Sequence, residues 1–579
     1  MNFFDKLYKY VISLLFLLII TFLCFLSYAG TCYVSIQYTT DISFFLKDNV
    51  FKNILFTLLF LVLLILFSRL GFVKKIINII NTNEKVFVLI KVILLCLIAI
   101  IASIWVYGTQ IYPEGDQALI LDAVEGFKNN DFSLFDSGEY MENCPNQIGI
   151  FLIYYLMSFI FNENYLLSLQ LLNVFGVVLI YKNLSEIMGF LKADNFTQLI
   201  IILSAFFFPV LIFYCWLVYG NILGMAFILC ACKYELFYFK DYRVKDIILT
   251  SIFLILALMA KSFSLIYFIA MLIYAIFKII ETKRYKNIFV IFVLCFALFI
   301  SNEVPKMIVE NKIGHSLDEG MSYYSYIAMG MQESDRAEGW HNKYNINSYH
   351  LANNKTEVQE EMAMEDIKTR RAYFIDNPSY MLRFYSRKIA SQWNNPTFEM
   401  FYGMDTDWGY GFQYRFASDY EINKFFTNFL CMNNELIIQE ILDLEQSLIL
   451  LGNVIYIVYF LLKKDKTKEE LLLPLAFIGG WLFLIIWEAK SQYALFYYVI
   501  LFIYAILGYV NLLKLINKKN RENFLINKKR LISLAVYFMI TFLIFNLSFK
   551  DYLKEDNDKY SKYVSYGNTY DWFEGGLND

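Results

Sequence analysis

The chain has 579 residues, of which 58% are apolar and 18% charged, with a formal net charge of −3. Soluble domains run at about 45–50% apolar and roughly 25% charged, so these values argue against a soluble enzyme, and the balanced charge argues against a nucleic-acid binder. Long Leu/Ile/Phe runs with seven prolines also exclude collagen-like and disordered chains. The apolar segments are longer than the alternating strands of about 10 residues that build a β-barrel. An all-α polytopic membrane protein remains.

In chain order, runs long enough to span a bilayer are predicted at 10–28, 52–69, 86–107, 287–303, 446–462, 471–487, 494–513 and 531–548. The first follows Lys6 and Lys9, has no small-residue cleavage site, and reads as a retained span. The stretch 147–238 supplies three or four more, broken at Asn162-Glu163-Asn164, at 185–195 and at Tyr219-Gly220-Asn221. Segment 246–278 is too long for one helix and carries Lys261 near its middle. It reads as two short helices meeting there, for about 13 spans in all.

Basic short loops mark the cytoplasmic side. They are Lys74, Lys75 and Lys85; 278–286; 463–468; and 514–530, which holds Lys514, Lys518, Lys519, Arg521, Lys528, Lys529 and Arg530. Loop 108–146 has the opposite bias, with Glu114, Asp116, Asp122, Glu125, Asp131, Asp136, Glu139 and Glu142 against Lys128 alone. It is therefore expected outside, and parity puts 303–445 and 549–579 outside as well. The basic stretch 240–246 fits the inside only if one of the four segments in 147–238 stops short of crossing.

The expected organisation is N-terminal transmembrane helices (1–107), a first large external loop with a juxtamembrane helix (108–149), a transmembrane core (150–302), an external soluble region (303–445), C-terminal transmembrane helices (446–548) and an external tail (549–579).

Four charged residues gather at the expected external face. Asp116 precedes 118–127, which has one apolar and one polar face and suits a helix lying in the interface. The helix N-terminus there favours a carboxylate, which serves either as a cap or as a general base at the lipid boundary. Lys261 follows the apolar run 247–260; a charge at that depth marks function by default, unless it only snorkels. Glu488 and Lys490 follow Trp487 at a span end, beside Tyr493, Tyr497 and Tyr498. They form either an interfacial anchor set or a phosphate- or sugar-binding mouth.

The three histidines, His315, His341 and His350, show no ligand spacing. Most of the nine cysteines sit in apolar runs without C-x-x-C spacing and read as buried hydrophobes. No P-loop or G-x-G-x-x-G after a strand is present. An enzyme on the outer face without a nucleotide needs a donor already activated in the lipid.

Loop 112–149 resembles the first external loop of the GT-C superfamily of integral-membrane glycosyltransferases, nearest its protein-mannosyltransferase-like and aminoarabinose-transferase-like branch, in a Gram-positive bacterial subset. The likeness rests on Asp116-Gln117, the helix 118–127 and Cys144-Pro145-Asn146-Gln147-Ile148-Gly149. It rests further on Glu488-Ala489-Lys490-Ser491-Gln492-Tyr493, on Met329-Gly330-Met331 with Gly339-Trp340, and on Ser391-Gln392-Trp393-Asn394-Asn395-Pro396. The chain departs from the family in having Cys-Pro-Asn for His-Pro-Pro, and Lys490 and Gln492 for two arginines.

The resemblance implies inverting transfer of a sugar from a polyprenyl-phosphate donor to a cell-envelope acceptor (a glycan, a teichoic-acid-like polymer or a protein). Asp116 would be the base, Lys261 and Lys490 the donor-phosphate ligands. Glu114, Gln117, Asn146, Gln147, Trp487, Glu488 and Tyr493 would line the substrates. No metal ligand and no cofactor is assigned, and a divalent cation is left open. The setting implied is a bacterial plasma membrane with the site facing out, in keeping with Asn/Ile/Lys-rich usage. A lipid-linked saccharide flippase would favour internal repeats, and none is visible; an envelope polysaccharide polymerase or ligase is the third alternative.

Overall fold

Apolar backbone satisfies its own polar groups away from water as helix, and helix dominates the computed structural model. The model describes residues 3–34, 42–109, 111, 113, 115–161, 165–401, 435–516 and 528–549. Helices α1 (Phe3–Ala29), α2 (Val50–Arg69), α3 (Gly71–Thr82) and α4 (Glu84–Thr109) come first. Next are α5 (Asp116–Lys128), α6 (Tyr140–Asn143), α7 (Ile148–Phe161), α8 (Tyr165–Phe190), α9 (Asn195–Phe207) and α10 (Val210–Phe213). The middle of the bundle is α11 (Asn221–Asp241), α12 (Val244–Ala260), α13 (Ser264–Thr282) and α14 (Ile288–Ile313). Four polar-region helices follow: α15 (Tyr323–Met329), α16 (Tyr344–Leu351), α17 (Thr356–Asp376) and α18 (Pro378–Trp393). The chain closes with α19 (Glu435–Leu462), α20 (Leu472–Ile486), α21 (Ser491–Tyr498), α22 (Leu501–Ile516) and α23 (Lys528–Phe549).

Among the described residues, nine helices are long and apolar enough to cross a membrane, or twelve if each of three bent pairs is one span. The chain is thus a multi-pass membrane protein. Helix α11 is almost entirely buried in the bundle, Lys233 and Glu235 included, whereas α2 exposes apolar side chains along most of its length, as a lipid-facing helix does.

Ion pairs tie one end of the bundle together. Glu186 on α8 meets Lys91 on α4 at 3.5 Å and Lys233 on α11 at 2.9 Å. Lys278 on α13 meets Glu469, just before α20, at 2.7 Å. Tyr238 on α11 donates to Asn287 at 3.0 Å. The basic turns at 240–246, 283–287 and 463–468 therefore share one end.

The opposite end carries Asp116 and Lys261. Helix α7 both starts and finishes there. Its Gly149 lies so close to α12 that a Cβ would stand 2.5 Å from the Met259 carbonyl. Four residues past its last, Tyr165 begins α8 with its ring 5.8 Å from the Lys128 ammonium of α5. Helix α8 itself runs on to Phe190, so the break expected across 185–195 narrows to 191–194.

Among the described residues the bundle carries one small sheet, not foreseen from the sequence. Gly30–Val34 (β1) and Ser43–Lys47 (β2) pair antiparallel, with Gly30 opposite Lys47 and Val34 opposite Ser43. Cys32 N–H donates to Asn394 O at 2.9 Å and Ser43 N–H to Arg336 O at 2.9 Å, which docks the hairpin on the polar region. That region also enters the bundle. Trp393 packs its ring 5.3 Å from Phe477 of α20, and Gln392 donates to Leu484 O at 3.2 Å.

Candidate functional site

The site is built around a break in an apolar run. After α10 the chain leaves the helix for Leu217–Gly220, and the freed backbone groups must find partners. Asn173 on α8 donates to Leu217 O at 2.9 Å, and Val218 N–H donates to the side-chain Oε1 of Gln117 at 2.8 Å. The Lys261 ammonium donates to Tyr219 O at 3.4 Å, and Gly220 N–H donates to the Tyr154 hydroxyl at 3.2 Å. Gly220 has φ +77, and a Cβ on it would lie 2.0 Å from Ala260 O. Only glycine permits that close left-handed turn.

The turn presents Tyr219 to the site. Its hydroxyl donates to Asp116 Oδ2 at 2.9 Å and accepts from Gln147 Nε2 at 2.9 Å. The Lys261 ammonium lies 3.6 Å from the centre of the same ring, a cation–π contact. Asp116 is the first residue of α5, Gly115 occupies the capping position, and the Asp116 carboxylate is exposed. The carboxylate thus bonds across to Tyr219.

Lys261 is the residue at which α12 and α13 break, as the sequence predicts, and it is only 6% exposed. Burial lowers its ammonium to about 7; Asp116 opposes that shift and Lys490 adds to it.

The second wall is the extended segment after α20. Ala489 N–H donates to Gly339 O at 2.8 Å and pairs with Trp340 in a parallel bridge. Trp487 is stacked 5.0 Å from Tyr326, nearly parallel, and against Phe483 at 5.1 Å. Lys388 of α18 is fully buried and donates to Trp487 O at 2.7 Å and to Gly330 O. Burial lowers its ammonium to about 7, against the pull of Glu488. Burial raises the Glu488 carboxyl to about 7; Lys490 opposes this, Asp116 adds to it, and Arg336 and Lys388 oppose it. Lys490 lies 3.7 Å from Glu399.

The structure therefore brings Asp116, Gln117, Gln147, Lys261, Glu488 and Lys490 to one end of the bundle. Tyr493 joins them, its ring 4.8 Å from Phe263 beside Lys261. Trp487 is half-buried and stacked against two aromatic rings, Tyr326 and Phe483, so it forms part of the wall. Asn146 is exposed on the Pro145–Gln147 turn, and Glu114 lies outside the described residues. Among the described residues, no three His, Cys, Asp or Glu side chains converge as a metal site. Tyr219, Lys388 and Glu399 are additions that the sequence reading did not single out. The only trace of Tyr219 was the Tyr-Gly-Asn break in an apolar run.

Comparison with protein-family models, curated proteins and solved structures finds no match for this chain. The chemistry of the site rests on its own geometry. An exposed carboxylate and a buried ammonium contact the same tyrosine, with Lys490 and the Glu488 carboxyl, raised by burial to about 7, alongside. Ammonium groups of this kind can in principle bind an anion, and an exposed carboxylate can take up a proton.

Proposed function

We propose that the chain is a membrane glycosyltransferase that moves a sugar from a polyprenyl-phosphate donor to a glycan, teichoic-acid-like or protein acceptor on the outer face of a bacterial plasma membrane. The carrying observation is the Asp116–Tyr219–Lys261 constellation at one end of the bundle. In this reading Asp116 is a base beside Lys261, a phosphate ligand, where lipid and water meet.

In this reading the helical module is GT-C-like, with α5 and α7 as its juxtamembrane helices. Thirteen crossings follow if α7 does not cross and every other long or bent helix does, α12 and α23 included. The basic turns then all fall inside and the site outside, in line with the positive-inside rule.

The acceptor hydroxyl attacks the anomeric carbon, and Asp116 takes its proton. The bond from that carbon to the phosphate oxygen breaks, its electron pair leaving on the lipid phosphate, and the anomeric centre inverts. Lys261 and Lys490 hold the departing phosphate by charge-assisted hydrogen bonds. Tyr219 aims the carboxylate, and Glu488, in its protonated form, donates to a sugar or phosphate oxygen.

The test is to give the protein, reconstituted in lipid nanodiscs or vesicles, a panel of polyprenyl-phosphate sugars with envelope acceptors. Free polyprenyl phosphate should appear together with glycosylated acceptor. Movement of the intact sugar-lipid across the vesicle bilayer without cleavage would contradict the reading.

A further inference from the structure

Residues 395–401 follow α18 and run along the second wall of the site. Tyr214 donates to Phe398 O, and Trp216 donates to Met400 O at 3.1 Å, so the segment is pinned by the stretch that leads into the Tyr219 turn. Thr397 N–H donates to Asn395 Oδ1 at 3.2 Å, and Asn395 donates to Ser491 Oγ at 3.2 Å. Within it, Phe398 and Glu399 have φ of +50 and +62, a region that side chains other than glycine seldom occupy and that costs energy to hold.

The result is a buried carboxylate, 4% exposed. Oε1 accepts from Ser491 N–H at 2.8 Å, Ser491 Oγ at 2.5 Å and Gln492 N–H at 3.4 Å. Oε2 faces the Lys490 ammonium at 3.7 Å. One oxygen thus fixes the first turn of α21, and the other is the counter-ion of a lysine at the mouth of the site.

We propose that Glu399 is a positioning residue that competes with phosphate for Lys490. It holds the ammonium charged and in place before an anionic lipid arrives, and it draws the ammonium back so that the lipid phosphate can leave. The inference rests on the reading of Lys490 as a phosphate ligand. It fixes a sign: removing the negative charge while keeping an acceptor for Ser491 should strengthen phosphate binding, whereas loss of a merely structural anchor should weaken it.

The experiment measures binding of a short-chain polyprenyl phosphate to the full-length protein in nanodiscs. Glu399→Gln should bind roughly three- to tenfold more tightly than wild type, the worth of one partly buried charge contact. Lys490→Ala should bind more weakly, and in that background the Glu399→Gln gain should shrink, because the two side chains act on each other. Glu399→Asn, a second charge-free variant, should shift affinity in the same direction and serves if the first does not fold. A weakened Lys490→Ala together with unchanged or weakened binding in the folded charge-free variants overturns this inference alone. A Lys490→Ala protein that binds as wild type removes the underlying reading as well.

Discussion

Lys261 and Glu488 both titrate near pH 7 at the same site, and the charged groups around them are Asp116, Lys490, Arg336 and Lys388. As pH rises through 7, Lys261 loses its positive charge and Glu488 gains a negative one. Both changes disfavour a bound phosphate, so the signs add. Linkage gives a loss of up to about tenfold per pH unit for each group above its pKa. Affinity for a polyprenyl phosphate, measured from pH 7.5 to 9, is expected to fall, and Lys261→Arg, which keeps its charge, should flatten the slope. A pH-independent affinity in the wild-type protein would remove these two groups from the phosphate site. At this scale the sequence was most legible where a charge interrupts an apolar run, because such a charge is expensive and stands out; Lys261 was found that way, Asp116 from the acidic loop before an interfacial helix, and Glu488 and Lys490 from their place at a span end. Tyr219 is one of 45 tyrosines, and Glu399 sits in a polar region where a carboxylate is ordinary. Only the fold shows that they face the others.

Helices were legible from apolar length, and their breaks from polar and glycine residues. What length could not show was direction. Helix α7 is as apolar as a span, yet both of its ends lie at the site end, because Gly149 seats it against α12 and α5 packs along it through Phe127, 5.2 Å from Phe151. The hairpin Gly30–Val34/Ser43–Lys47 was missed for a related reason: its partners, Asn394 and Arg336, are hundreds of residues away in sequence. The turn at Gly220 is the element on which the site depends. Gly220→Ala would push a methyl into Ala260 O from a left-handed backbone, and should destabilise the protein by about 2 kcal/mol or more. Gly71→Ala, with open space around it, should stay within about 0.5 kcal/mol. Thermal unfolding in detergent checks both. Equal stability of the two variants would mean the turn is not held as described.

For the whole molecule, the composition was enough to give a multi-pass helical protein, since few other folds tolerate so much apolar surface. Orientation follows from charge bias and is open to direct labelling. In a cysteine-free background, an impermeant thiol reagent applied to intact cells should label Asn347→Cys, on the exposed face of α16, and miss Asp465→Cys, in the basic turn after α19. The reverse pattern would turn the site toward the cytoplasm and remove an outer-face transferase.

The central claim is that Asp116 is the base and not a helix cap, and one comparison tests it most directly: turnover and donor binding of Asp116→Asn beside wild type. The amide keeps the shape and an acceptor for the Tyr219 hydroxyl but gives up the basic oxygen. General base catalysis is typically worth about 10²–10⁴-fold, so sugar transfer should fall by that factor while polyprenyl-phosphate binding survives. Wild-type transfer by the Asp116→Asn protein would contradict the account.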